Sequence, residues 1–226
     1  MAGGLGTRLR PLTYAIPKPL LPIGDRPILE ILLRQLQRAG LTEAVLSTGY
    51  KAELIKSYFG DGSRLGVRLS YVVEEEPLGT AGALRLVRDR LTEPFLMING
   101  DILTRLDFGA FYRAHVAGGA LLTAAAARYE TRIPYGVIQG DGTTIEEVLE
   151  KPVEVRPILA GIYAVSPAAL DHLPEGARVD MPDLIRAVRA AGGDVRRYDM
   201  DEFWLDVGAV SDLETAVQAV ASWSDV

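Results

Sequence analysis

The stretch DRPILEILLRQLQRAGLTEAVLS, Asp25 to Ser47, sets the architecture. Ile28, Leu29, Leu32, Leu33, Leu36 and Ala39 recur at i, i+3 and i+4, so Asp25 to Ala39 is expected to form an amphipathic helix with one apolar face. Gly40 ends it, because glycine accepts the left-handed backbone that closes a helix. Glu43 to Ser47 then reads as a strand. The same alternation continues: helix Ala52 to Phe59, strand Val67 to Val73, helix Thr80 to Leu91, strand Phe95 to Ile98. Units of this kind in series predict an α/β layer fold with a mainly parallel sheet.

Beyond Asp107 to Val116, expected as a helix, the pattern loosens. Ala120 to Arg128 reads as a strand, although its alanines also suit a helix. Tyr135 to Gln139 and Thr144 to Leu149 flank Asp141-Gly142, a hairpin signal, so antiparallel strands are expected in this half. Ile158 to Val165 is a further strand. Pro182 to Ala191 forms a helix that Asp180 caps, and Ser211 to Ser222 forms one opened by Ser211 and Glu214 as a capping box.

Composition narrows the function. The 226 residues hold 24 Lys plus Arg against 30 Asp plus Glu, a net charge of −6, so the chain lacks the overall field of a nucleic-acid or membrane-surface binder. Cysteine is absent, which removes disulfides, thiolate nucleophiles and Cys zinc sites. His115 and His172 have no Ser, Asp or Cys partner pattern and are read as structural. The longest apolar run, Ala117 to Ala127, falls well short of the ~20 residues that span a bilayer. The opening Met-Ala-Gly-Gly-Leu-Gly has neither a basic segment nor an apolar core, and the cytoplasm is the expected compartment.

The densest chemistry lies in GGLGTRLRPLT, Gly3 to Thr13, and PKPLLPIGDRP, Pro17 to Pro27. Gly3, Gly4 and Gly6 let backbone amides turn toward an anion, and Arg8 offers a fork of donors to phosphate oxygens. The same residues also suit a simple N-terminal turn with a solvated arginine. Neither the dinucleotide G-x-G-x-x-G nor the Walker G-K-[ST] spacing is met. Only four lysines stand against twenty arginines, and two of them, Lys18 and Lys151, directly precede proline, which stiffens the segment that aims the charge. Either is also compatible with a surface turn, and Lys51 and Lys56 are assigned to a solvated helix face.

Asp101 follows the strand Phe95 to Ile98, and Asp206 follows Phe203-Trp204-Leu205. Ligands of open α/β sheets sit at the carboxyl ends of strands, where two carboxylates suit Mg²⁺ completed by water and substrate phosphates; each aspartate alone also suits a turn or cap. In EEEPLGTAGAL, Glu74 to Leu84, Gly79 and Gly82 permit either close approach of a ring or phosphate or tight helix packing. Glu150 beside Lys151 pairs a hydroxyl acceptor with a phosphate donor, or forms a surface couple. A glycine turn that feeds such a sheet normally follows a strand, yet here Met1 abuts the glycines. A strand is therefore expected to be missing upstream, and its loss would expose ladder groups on its neighbours.

GGLGTRLRPLT with PKPLLPIG, then EEEPLGTAGAL, NGD, PYGVI, EKP, AGIYAV and WLDVG, in this order, resemble the sugar-1-phosphate nucleotidyltransferase family, in particular its GDP-mannose pyrophosphorylase-like members, from Met1 to about Val217. The resemblance implies a doubly wound, mixed and mainly parallel Rossmann-like α/β sheet with a small antiparallel sugar-binding part, within one catalytic domain over residues 1–226. It implies an enzyme that joins an NTP and a sugar 1-phosphate with release of pyrophosphate. Gly3, Gly4, Gly6 and Thr7 would then wrap the nucleotide, Arg8 would bind its phosphates, and Lys18 would hold charge at the α-phosphate. Glu74, Gly79 and Thr80 would border base and ribose. Gly136, Glu150 and Gly161 would line the sugar pocket with Lys151 on the sugar phosphate, and Asp101 and Asp206 would hold Mg²⁺.

GTP is the expected nucleotide because PLGTAG resembles the guanylyltransferase version, with UTP or dTTP as the alternative. A noncatalytic sugar-nucleotide-binding regulatory subunit is the rival outside enzymes, against which Arg8, Lys18, Asp101 and Asp206 argue. Three departures stand out. Leu159 replaces the asparagine that often precedes Ala-Gly-Ile-Tyr, removing one polar contact to the sugar; the strand before the glycine loop is missing; and no hexapeptide repeat of a C-terminal β-helix appears. A homodimer and an additional N-terminal regulatory domain are both compatible with the resemblance.

Overall fold

The computed structural model describes residues 1–4, 6–175 and 178–223. Strands β1 (Pro22–Ile23) and β2 (Arg26–Pro27) form a small antiparallel ladder ahead of helix α2 (Ile28–Arg38), which is preceded by the short α1 (Leu12–Ala15). The helix expected from Asp25 thus starts three residues later, because the Gly24 turn pairs Arg26 with Ile23 and Pro27 supplies an extended entry. Its leucine face is buried as the period predicts, each fully buried Leu or Ile contributing about 1.5–3 kcal/mol over exposure. Then come β3 (Glu43–Thr48), α3 (Ala52–Phe59), β4 (Arg68–Val73), α4 (Gly79–Gly82), β5 (Phe95–Ile98), β6 (Ile102–Thr104) and α5 (Phe108–Gly118). The second half holds β7 (Leu122–Arg132), β8 (Gly136–Gln139), β9 (Glu147–Glu150), β10 (Val153–Val165), α6 (Met181–Ala190), β11 (Val195–Asp199), β12 (Trp204–Asp206) and α7 (Val210–Val220).

The main sheet runs β11-β7-β10-β5, and β3 pairs parallel with β4 in a separate ladder. Met1 and Ala2 join the two. Ala2 donates to Ser47 O at 2.7 Å and bridges Thr48 in parallel, while Met1 N donates to Ile98 O and its carbonyl accepts from Gly100 N, each at 2.7 Å. Through that link β4, β3, β5, β7 and β11 share one direction and β10 alone is reversed, a mixed and mainly parallel α/β sheet.

Alternation along the strands builds a core on each face. Ile98, Ala125, Ala127, Ile162 and Ala164 pack toward Leu29, Leu32 and Leu33 of α2, whereas Met97, Leu122, Ala124, Tyr163 and Val165 pack toward Leu84 and toward Leu184 and Val188 of α6. The alanine run of β7 is therefore strand, since small residues on both faces let helices approach the sheet.

Several local expectations shift. The helix expected over Thr80 to Leu91 is α-helical only in α4 and continues as a 3-10 helix, Ala83–Arg90. The hairpin around Asp141-Gly142 exists, but its second strand is β9, not Thr144 to Leu149, because residues 140–146 form a longer loop. Asp180 caps α6 together with Asp183 as expected. Helix α7 begins one residue before Ser211, and Asp212, not Glu214, closes its start by accepting from Gly208 N at 2.9 Å and Ala209 N at 2.7 Å. Lys51 is no solvated helix residue either: its ammonium donates to the Tyr14 and Ala15 carbonyls and ties α1 to the start of α3.

Candidate active site

Two prolines flank Lys18 and hold it in a one-turn 3-10 helix, Lys18–Leu20, that leads into β1. The residue is 8% exposed, and a lysine so buried needs a partner. Its Nζ donates to Asp101 Oδ2 at 2.5 Å and lies 3.5 Å from Asp206 Oδ1. The strand register explains why the aspartates converge: β12 pairs antiparallel with β6 so that Asp206 faces Ile102, and Val207 N donates to the Asp101 carbonyl at 3.1 Å.

The glycine loop closes over the same place. Thr13 Oγ1 donates to Gly6 O at 2.9 Å, and Thr13 and Lys18 are the side chains that face Gly6. Thr7 and Arg8 are exposed on the following 3-10 turn, Thr7–Leu9, and the Arg8 guanidinium lies against Gly208, directly after the Asp206-Val207 step. Gly3 sits beside Glu74 and Gly4 is open to solvent. Thus Gly6, Arg8, Lys18, Asp101 and Asp206 come together in one cationic and anionic centre, while Gly3 faces Glu74 and Gly49, and Gly4 and Thr7 stand exposed on the loop.

Glu74, Gly79 and Thr80 prove to be joints of the scaffold. Glu74 accepts from Ser47 Oγ at 2.5 Å and from Leu78 N at 3.1 Å, fastening the segment after β4 to β3. Gly79 has φ +81°, and a Cβ there would stand 2.5 Å from the Val179 carbonyl oxygen. Thr80 N donates to Asp180 Oδ1 at 2.9 Å, and Thr80 Oγ1 accepts from Met181 N at 2.9 Å. The tight-packing reading of this glycine pair is therefore realised, and Asp180, read from the sequence only as a helix cap, also anchors α4.

Gly161, at φ +70°, interrupts the β10 register; its carbonyl accepts from Asn99 N at 2.9 Å, and a Cβ would meet Asn99 Nδ2 at 2.8 Å. That contact sets Gly161 beside the Asn99-Gly100-Asp101 turn. Asn99 Oδ1 is buried without a hydrogen-bond partner among the described residues. Sequence reasoning passed over Asn99 as linker; its place between an apolar strand and Asp101 was the available signal. Trp204 Nε1 donates to Ala160 O at 2.8 Å and fixes the same bend. Gly136 and Glu150 face each other across the β8–β9 hairpin, a separate two-stranded sheet. Lys151, at φ 47°, reaches Glu150 at 3.6 Å with both side chains well exposed, so the pair contributes under about 1 kcal/mol and stays available. Leu159 is exposed on β10.

His115 is buried between Thr123 Oγ1 at 2.8 Å and Ser166 Oγ at 3.1 Å, and burial holds its pKa below the ordinary histidine value. It is structural, as expected.

Fold and centre together define an α/β protein whose lysine and two aspartates gather just beyond the carboxyl end of β5 and at the end of β12. The model of the nucleotidyl transferase family matches residues 1–222, and the chain belongs to that family. It is 35% identical over 225 residues to the mannose-1-phosphate guanylyltransferase catalytic subunit beta of Danio rerio, with 96% of this chain and 62% of that protein covered. The mannose-1-phosphate guanyltransferase of Candida albicans is 35% identical over 221 residues, covering 94% and 61%. The chain therefore spans somewhat under two thirds of these curated relatives. Among solved structures, HddC from Yersinia pseudotuberculosis superposes with a TM-score of 0.75 at 25% identity, with 96% of each chain covered. No helix among the described residues is long and apolar enough to cross a membrane.

Proposed function

We propose that the chain is the catalytic unit of a sugar-1-phosphate nucleotidyltransferase that takes GTP and a mannose-1-phosphate-like sugar. The observation that carries this reading is the single cluster of Lys18, Asp101 and Asp206 beneath a glycine loop with Arg8 at its edge. A nonbridging oxygen of the sugar phosphate attacks the α-phosphorus of the NTP, the α–β anhydride bond breaks, and pyrophosphate leaves with the bonding pair. The attacking oxygen is already anionic, so no side-chain nucleophile or proton transfer is required. Positioning and charge neutralisation supply the rate.

Amides of Gly3, Gly4 and Gly6 with Thr7 hold the nucleotide, and Arg8 neutralises the departing pyrophosphate. Lys18 takes charge growing on the α-phosphate. Glu74, Gly79 and Thr80 frame the base and ribose by keeping their loops in place. Gly136, Glu150 and Gly161 line the sugar side, and Lys151 holds the sugar phosphate.

Mg²⁺ is the proposed cofactor. Among the described residues no group of three or more His, Cys, Asp or Glu gathers, and Asp101 and Asp206 are the carboxylates that converge at the Lys18 centre. Two carboxylate oxygens converging on one cationic point fit a hard ion that fills its octahedron with water and substrate phosphates. When bound, the ion would supply charge neutralisation on the nucleotide phosphates. The guanine preference and the sugar class rest on the names of the curated relatives. The test is pyrophosphate release with Mg²⁺ across GTP, UTP, dTTP, CTP and ATP against several sugar 1-phosphates. Turnover with GTP and mannose 1-phosphate is expected. Turnover only with UTP or dTTP would replace the base assignment, and nucleotide binding without turnover on any sugar would favour a regulatory subunit.

A further inference from the structure

Of the run Trp204-Leu205-Asp206-Val207-Gly208, the transferase reading uses only Asp206. Gly208 is buried in the turn between β12 and α7, and a Cβ on it would stand 2.8 Å from Arg8 Nη2 and 3.1 Å from both Cζ and Nη1. The end of the Arg8 guanidinium thus fills the space that any other residue at 208 would need for its side chain. Backbone conformation does not ask for glycine here, because Gly208 has none of the left-handed φ values found at Gly6, Gly79 and Gly161. What the missing side chain supplies is room, and a cation occupies it.

This seat is tied to the aspartates. Gly208 N donates to Asp206 O at 2.8 Å and to Asp212 Oδ2 at 2.9 Å, and Val207 N donates to Asp101 O at 3.1 Å. Asp212 also accepts from Ala209 N at 2.7 Å, so the start of α7 holds the turn from its other side. One short stretch of backbone therefore carries Asp206, meets Asp101 and supports Arg8. Arg8 is exposed, and among the described residues its guanidinium makes no hydrogen bond or salt bridge. Its donors stay open while contact with Gly208 sets where they rest. A long cation without such a contact spreads over many rotamers, and holding it in place beforehand lowers the cost of binding an anion.

We infer that Gly208 is a positioning residue: by withholding a side chain it seats the Arg8 guanidinium against the turn that joins Asp101 and Asp206, where that cation meets the pyrophosphate part of the nucleotide. The inference rests on the transferase role given to Arg8 and adds the group that aims it. A methyl at 208 and the guanidinium compete for one volume. The guanidinium yields, since it is the free end of an exposed side chain and Gly208 is bonded on both sides. The fold keeps its stability and Arg8 loses its place.

The parent chain, Gly208→Ala, Arg8→Ala and the double variant are compared by thermal melting, by NMR relaxation of the Arg8 Nε–H group, and by calorimetric binding of inorganic pyrophosphate with Mg²⁺. Pyrophosphate is released whatever the base, so its binding does not depend on the guanine assignment. Gly208→Ala is expected to shift Tm by less than about 2 °C and to lower the Arg8 Nε–H order parameter from above about 0.6 to below it. It should weaken pyrophosphate binding by about tenfold or more, with no further loss when added to Arg8→Ala. In turnover kcat falls while KM for the sugar 1-phosphate holds. Unchanged Arg8 order and pyrophosphate binding in Gly208→Ala, with binding impaired in Arg8→Ala, would overturn the seat and leave the transferase reading standing. Additive losses in the double variant would also overturn it, because Gly208 would then act through some other group. A large fall in Tm for Gly208→Ala supports the seat if Arg8→Ala relieves it and overturns it if not. Pyrophosphate binding that is absent from the parent or indifferent to Arg8→Ala overturns the role of Arg8 itself, and with it the use of the seat.

Discussion

Lys18 Nζ lies 2.5 Å from Asp101 Oδ2, although 83 residues separate them. Asp206 completes the cluster from 188 residues away. The ammonium partly neutralises the two carboxylates proposed to hold the divalent ion, so removing it leaves like charges without that counter-cation. Lys18→Met is expected to lower turnover by about 10²–10³-fold while tightening Mn²⁺ binding to the nucleotide-free protein. Titration calorimetry with Mn²⁺ alone reads the second effect, and unchanged or weaker Mn²⁺ binding contradicts the shared-site geometry.

Asp101→Asn keeps size and backbone but loses the charge that pairs with Lys18. Turnover should fall by about 10²–10³-fold with the far-UV spectrum unchanged. A near-normal rate would remove Asp101 from the metal site.

Lys151→Ala is expected to be nearly neutral for stability, within about 0.5 kcal/mol, because the side chain is well exposed and pairs loosely with the equally exposed Glu150 across 3.6 Å. Its proposed role on the sugar phosphate predicts that KM for the sugar substrate rises while NTP binding holds. Equal losses for both substrates would contradict the role.

Gly79→Ala forces a Cβ against the Val179 carbonyl in a left-handed backbone, a strain of about 1–3 kcal/mol. Chemical denaturation should register that loss, and a stability equal to the parent would show that the α4–Val179 contact relaxes freely.

His115 sets a pH dependence. Burial holds its folded pKa below the ordinary histidine value of about 6.5, so the unfolded chain binds more protons as pH falls through that value, and stability falls in the same direction. Above that window both states are neutral and the slope vanishes. Urea midpoints at pH 7.5 and pH 5.5 should differ less in His115→Gln than in the parent chain; an unchanged difference would assign the acid sensitivity to other groups.

Sequence periodicity was enough for α2, β3, α3 and β5, because local burial repeats every 3.6 or 2 residues whatever the partner. It was also enough for the motifs: the glycine loop, Lys18 between prolines and the two strand-end aspartates are all local features. Local pattern could not say that Asp206 pairs into β6 beside Asp101, that β10 runs against its neighbours, or that Gly79 and Thr80 latch onto Asp180, 100 residues on. Those depend on sheet register and on which faces meet, and no window of a dozen residues contains both partners. The sequence by itself determined which glycine, cationic and carboxylate groups this protein has to offer; the tertiary structure decided that one buried ammonium gathers two of its carboxylates, because only packing brings charges so distant in the chain within a hydrogen bond of each other.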